Sequence, residues 1–230
     1  MSADVGPILA IDTSGDTASV AVYRDRVLAE ATWQAGRHHS VQLLPAVDRV
    51  LDQANTDKQS LSAIAIAVGP GSYSGLRVGI STALAFALAL DLAITQVPTL
   101  EVIAFAQPAF SATDSRASRP VRAAIHVGRG HYATARFRRT GSVLEHETRI
   151  EAVGLGELVE LAAVEHALLA VDLDPETREH LDRQYGARVE LTSPAASARR
   201  AGFLAELAAL KIRRGEPAGS LAVEPIYLHS

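Results

Sequence analysis

The sequence predicts an α/β fold built twice, as two mixed-sheet domains, and three observations predict it. Short apolar runs broken by turn residues, Ile8–Ile11 before Asp12-Thr13-Ser14-Gly15 and Ala18–Tyr23 before Asp25-Arg26, read as a two-stranded hairpin. The continuous apolar run Ile64–Val68 reads as a strand covered on both faces, and a glycine-rich turn leads from it into an alanine-rich helix. The same theme, a meander followed by helices, returns after Val121.

Each element has its own signal. Val27–Trp33 supplies a third strand. Ser40 offers an N-cap for a helix whose Leu43, Leu44, Val47, Val50 and Leu51 recur at helical spacing. Pro45 places the regular start of that helix close by, because a deeper proline removes a backbone bond and clashes with the preceding turn. The alanine-rich helix spans Val78–Leu90. Polar Ala112–Pro120 marks the domain boundary, giving an N-terminal lobe of residues 1–111 and a C-terminal lobe of residues 112–230. In the second lobe Val121–Val127, Tyr132–Arg138 and Val143–Ile150 read as strands, Leu155–Val164 as a helix and Ala167–Val171 as a strand. Asp174-Pro175 is an N-cap followed by an N1 proline, Arg188–Leu191 is a last strand, and one helix runs from about Ala195 to Arg213.

With 48% apolar and 21% charged residues in 230, the chain can bury a sizeable core. The absence of cysteine excludes disulfides, a thiolate nucleophile, iron–sulfur clusters and Cys-ligated zinc. No basic start precedes an apolar run, and Val78–Ile94 is interrupted by Ser81, Thr82 and Asp91, so the expectation is a cytoplasmic protein without a membrane partner. The net charge of −4 is unevenly placed: Ser115–Leu144 carries seven arginines and no carboxylate. Strand alternation sets Tyr132, Thr134, Arg136 and Arg138 on one face, which is either a solvated surface or one that meets RNA phosphates.

The most specific motif is Gly69-Pro70-Gly71-Ser72-Tyr73-Ser74-Gly75-Leu76-Arg77-Val78-Gly79, between a buried strand and a helix. Glycines permit close approach of backbone, and a helix N-terminus offers free N–H groups, so Gly69, Gly71, Ser72 and Gly75 are candidates for an anion or phosphate cradle. The alternative is a tight turn with close helix packing. A P-loop would need Gly-Lys-Ser/Thr at its end, and a dinucleotide fingerprint would need its third glycine one residue before Gly75. Asp12-Thr13-Ser14, taken alone, is a strand-to-turn cap. His38 and His39 point about 100° apart on a helix and read as a surface pair, since two-histidine metal faces use residues four apart. No Gly-x-Ser-x-Gly elbow is present to suggest a hydrolase.

Ile8-Leu9-Ala10-Ile11-Asp12-Thr13-Ser14 together with Gly69 to Gly79 resembles the paired signatures of the TsaB family. Arg37-His38-His39-Ser40 with Leu43-Leu44-Pro45 resembles that family's first helix, and Glu224-Pro225-Ile226-Tyr227-Leu228 its C-terminal motif. The resemblance implies the two-lobed fold shared by actin, Hsp70 and sugar kinases. It also implies a non-catalytic subunit that scaffolds and activates a TsaD-like threonylcarbamoyltransferase in forming threonylcarbamoyladenosine in tRNA. The implied partners are that catalytic paralogue, a TsaE-like ATPase and, through the complex, tRNA. No cofactor or metal of its own is implied, although ATP could sit at an inter-subunit site of the complex. Enzymes of this fold place a carboxylate near nucleotide phosphates, which makes Asp12 a candidate. The paralogue's His-x-x-x-His pair has no counterpart, because Leu43 stands four beyond His39. Where family members carry Asp-Ala-Arg and Glu-Val-Tyr, this chain reads His126-Val127-Gly128-Arg129-Gly130-His131-Tyr132.

The two first-lobe helices are the expected partner surface, with Leu43, Val47 and Val50 on one and Ala83 and Ala87 on the other. The same patch would support a homodimer when the chain is alone. A small-molecule kinase of the same fold is the rival reading, and a peptidase a third. The kinase would need a second-lobe phosphate motif where the chain has His126 and Gly128.

Overall fold

In the computed structural model, residues 5–107, 119–140, 143–186, 188–216 and 222–226 are described. The first hairpin forms as expected: β1 (Ile8–Asp12) pairs antiparallel with β2 (Thr17–Arg24), and β2 with β3 (Arg26–Gln34). Asp25 turns the β2–β3 connection at φ 57°, a conformation Asp adopts more readily than most residues. After α1 (His39–Gln53), β4 (Ala63–Ala67) lies parallel to β1, and after α2 (Tyr73–Leu90), β5 (Ala93–Val97) lies parallel to β4. The sheet order is therefore β3-β2-β1-β4-β5. Next comes α3 (Thr99–Phe105). Neither β5 nor α3 was legible in the sequence: Asp91 ends α2 in a left-handed conformation, and a five-residue strand follows with little apolar alternation.

Alternation divides this sheet into two differently built faces. Leu9, Ile11, Val20, Val22, Ile64 and Ile66 cluster with α1 and α2, whereas Ala10, Ala21 and Ala65 are buried on the opposite side. Small side chains there admit the close approach of a helix from the far end of the sequence, α7 (Ala201–Arg213), which packs across β1, β2 and β5 through Leu204, Ala205, Ala208 and Ala209.

Among the described residues the second sheet repeats the first. After β6 (Val121–Gly128), β7 (His131–Thr140) and β8 (Val143–His146) form a meander; β9 (Glu151–Gly154), α4 (Leu155–Val164), β10 (Leu168–Ala170), α5 (Pro175–Tyr185) and β11 (Glu190–Leu191) follow. The order β11-β10-β6-β7-β8, with β10 parallel to both β6 and β11, repeats the order of the first sheet, and β9 is an added sixth strand beside β7. The chain thus has the duplicated α/β topology of the actin, Hsp70 and sugar-kinase fold.

The structure corrects several boundaries. Helix α1 begins at His39, with His38 at the N-cap and no side-chain cap, so Ser40 lies inside the first turn and Pro45 in the second. Pro45 and Val41 are both exposed, leaving the carbonyl that proline cannot bond on the solvent side. The strand expected over Val143–Ile150 stops at His146 as β8, which pairs with the end of β7, and β9 begins only at Glu151 and pairs with the start of β7. Between them the Thr148 hydroxyl accepts from the Arg136 N–H and bends the chain. The helix expected over Ala195–Arg213 is also two, α6 (Pro194–Ser197) and α7, separated by extended backbone at Ala198 and Arg200.

Contacts divide the chain into one unit of Met1–Val102 with Arg199–Tyr227 and another containing Ile103–Ala198. The contiguous division at residues 111 and 112 gives way to a discontinuous one because α7 covers the alanine face of the first sheet. The boundary segment Ala112–Pro120 lies largely outside the described residues.

Candidate functional site

The end of β1 and the glycine-rich loop come together in the first unit. Asp12 is fully buried, and its Oδ1 accepts from the Ser14 N–H at 2.9 Å and the Ser14 hydroxyl at 2.5 Å. The loop lies directly on this corner. Ser72 donates its N–H to the Ser14 carbonyl at 2.7 Å, and Thr13 donates its hydroxyl to the Gly75 carbonyl at 2.7 Å.

The glycines are required by that approach. A Cβ at Gly71 would stand 2.1 Å from the Ser14 oxygen, at Gly75 2.1 Å from the Thr13 oxygen, and at Gly79 2.2 Å from Thr13 Oγ1. Gly69 has φ +99°, and a Cβ there would meet the Ile226 carbonyl at 2.9 Å. Ile226 in turn donates its N–H to the Val68 carbonyl at 2.8 Å and packs on the core, so this part of the C-terminal motif braces the loop from behind. Tyr227 and Leu228 lie outside the described residues.

Three of the loop's N–H donors are engaged within the chain. The Gly69 N–H goes to Thr99 Oγ1 at 3.1 Å, the Ser72 N–H to Ser14, and the Gly75 N–H to Ser72 Oγ at 3.3 Å, which makes Ser72 the N-cap of α2. Asp12, Gly69, Gly71, Ser72 and Gly75 are thus brought together, in the geometry of a packed joint.

Two buried residues at this corner were not expected from the sequence. His39, read as a surface residue, is 3% exposed, with its ring set against the Gly15 backbone. It lies beside Gly75, whose Cβ position is 3.3 Å from its Nε2; burial pushes its pKa down, while Asp16 pulls the other way. Arg199, 7% exposed in the break before α7, sets its guanidinium against Gly15 and holds Nε 3.8 Å from Asp12 Oδ2. The only sequence signal was a polar Ser-Ala-Arg-Arg interruption in an alanine-rich stretch.

The residues expected at the partner surface face inward. Leu43, Val47, Val50, Ala83 and Ala87 are all buried in the core of the first unit, because each lies on the helix stripe that packs against the sheet. The outward apolar side chains on these helices are Val41 and Leu44 on α1 and Tyr73 and Leu88 on α2. Helix α2 is long and apolar enough to cross a membrane by length and composition, yet here one stripe of it covers the sheet.

Arg119, Arg122, Arg136 and Arg138 are matched by carboxylates further along the chain. Arg136 and Arg138 both pair with Glu147, at 3.0 and 2.7 Å, and Arg122 is buried between Glu165 and Glu151. At the end of β6, the counterpart of β1, stand His126, stacked edge-on against Tyr132, and a bulge at Gly128. Among the described residues no three His, Asp or Glu side chains gather as a metal site.

Residues 32–187 match the family model described as TsaD, tRNA N6-adenosine threonylcarbamoyltransferase. The tRNA threonylcarbamoyladenosine biosynthesis protein TsaB of Bacillus subtilis is 44% identical over 98 residues, covering 42% of this chain and 43% of that protein. TsaB of Escherichia coli K12 is 33% identical over 152 residues, covering 66% of this chain and 64% of that protein. The matched stretches therefore span only about half of these relatives' own lengths. In fold the chain is similar to the solved structure of YeaZ from Pseudomonas aeruginosa, with a TM-score of 0.73 at 22% identity over 97% of this chain and 100% of that one. With the signature loop and the duplicated topology already in place, these matches show that the chain belongs to the TsaD family, on its TsaB branch.

Proposed function

We propose that this chain is a non-catalytic subunit that scaffolds and activates a TsaD-like threonylcarbamoyltransferase as threonylcarbamoyladenosine is formed in tRNA. The observation that carries the reading is the loop Gly69 to Gly79: the most specific family signature in the chain is occupied by the chain's own Thr13 and Ser14. A motif used for internal packing in the unit that bears α1 and α2 suits a protein whose task is to present a surface. The catalytic paralogue carries the chemistry, with a TsaE-like ATPase and tRNA joining through the complex in the cytoplasm. This chain holds no cofactor of its own, and ATP belongs to an inter-subunit site.

The partner surface is the outward face of α1 and α2, where Val41 (69% exposed), Leu44 (52%) and Leu88 (67%) offer apolar contact. A second copy of the chain competes for it when the partner is missing. Leu88→Arg and Leu44→Arg are expected to keep the melting transition yet lose capture of the catalytic homologue and self-association. Ala87→Arg, at a 2% exposed position, is expected to unfold. Normal capture by folded Leu44→Arg and Leu88→Arg variants would place the interface elsewhere.

A further inference from the structure

The corner at the end of β1 holds more polar groups than its hydrogen bonds use. Asp12 Oδ2 and Arg199 Nε are buried without hydrogen-bond partners, on two side chains each more than nine-tenths buried. Arg199 faces Asp12 from the break before α7, and the guanidinium lies so close over Gly15 that a Cβ there would stand 1.6 Å from its Nη2. The next residue repeats the arrangement two strands further out. Arg200 pairs with Glu30 on β3 at 2.7 Å, and the other Glu30 oxygen accepts the Gly202 N–H at 2.8 Å, capping the start of α7. Two adjacent arginines therefore fasten α7 to the sheet, one deep and one shallow.

We propose that Arg199 is a positioning residue that serves as the resident cation of Asp12: it closes this corner to metal-bound phosphates and fixes α7 on the first sheet. A buried carboxylate needs a positive partner, and a planar guanidinium seated on a glycine supplies one without a bound ion. The glycine at position 15 is part of the device, since any side chain there takes the space of the guanidinium. Fastening α7 and excluding phosphate are then one act of the same side chain. The inference does not rest on the partner reading, and its test uses the chain alone.

The experiment compares the full chain with Arg199→Ala, Asp12→Asn and the double variant. Arg199→Ala should lower the melting midpoint by about 10 °C. Millimolar methylguanidinium should restore at least half of that loss, while leaving the wild type and the double variant unmoved. Magnesium ADP should not bind the wild type. The proposal is overturned if methylguanidinium fails to rescue, if it rescues equally without Asp12, or if the wild type binds magnesium ADP in a way that Asp12→Asn abolishes. Should Arg199→Ala not fold, Arg199→Lys keeps the charge and removes the planar group over Gly15. Gly15→Ala must then cost the wild type a larger melting shift than it costs Arg199→Lys, and equal shifts overturn the proposal.

Discussion

His39 is kept neutral by burial, and that gives the protein an acid-side dependence. Its folded pKa lies below the ordinary 6.5, so the unfolded chain takes up a proton first as pH falls. The contribution is whole above about pH 6.5 and is lost progressively below it. The urea midpoint should therefore fall from pH 8 to pH 5 more steeply in the wild type than in His39→Leu. Asp12, Asp16 and Arg199 are the charged groups acting on it, and the two carboxylates soften the effect without reversing it. In the second unit the corresponding sensitive residue is Arg122, 1% exposed, with Nε 2.7 Å from Glu165 Oε2. Arg122→Ala leaves Glu165 nearly buried with, among the described residues, only Arg136, 3.6 Å away, for a counter-charge. Removing one member of a buried pair typically costs about 3–5 kcal/mol. Denaturant unfolding should show a loss of that order, and Glu165→Gln in the same chain should recover part of it. Asp12 and the loop glycines were legible because strand ends and glycine spacing leave local marks. Arg199 was not, since its partner is nearly the whole chain away and a buried arginine carries no periodicity.

Among the elements, α2 shows how composition can hide direction. Every position from Ala83 to Ala89 is apolar, so the sequence could say that the helix packs but not which stripe faces the sheet. The glycines decide it: Gly75 and Gly79 lie one turn apart against Thr13 and bring that side of the helix onto the end of β1. Ala83 and Ala87 continue the same stripe inward, which turns Leu88 outward. Gly75→Ala and Gly79→Ala should each cost more than about 3 kcal/mol, because the added methyl meets the Thr13 backbone oxygen in the first case and a hydroxyl already bonded to Gly75 in the second. Ser72→Ala removes only the cap bond and should cost about 1 kcal/mol. Equilibrium unfolding of the three variants ranks them. The duplicated topology was readable because each half repeats its own meander and helices. Short β5, the β8–β9 bend and the interruption before α7 were not, because tertiary pairing decides each of them.

At the scale of the whole molecule, the first unit is assembled from two stretches of chain. A fragment of residues 1–102 leaves Ala10, Ala21 and Ala65 without their covering helix, and it should lack a cooperative melting transition. Adding a peptide of residues 199–227 should restore one, and a cooperative melt of the fragment alone would show α7 to be dispensable for that sheet. The same discontinuity sets an order of completion during synthesis. The strands of the first unit leave the ribosome before any of the second, yet their last covering element follows Ile103–Ala198. At about 5–20 residues per second, that interval is on the order of ten seconds. Throughout it, the alanine face of a nascent sheet stands open, and the half of the protein made first is the half finished last.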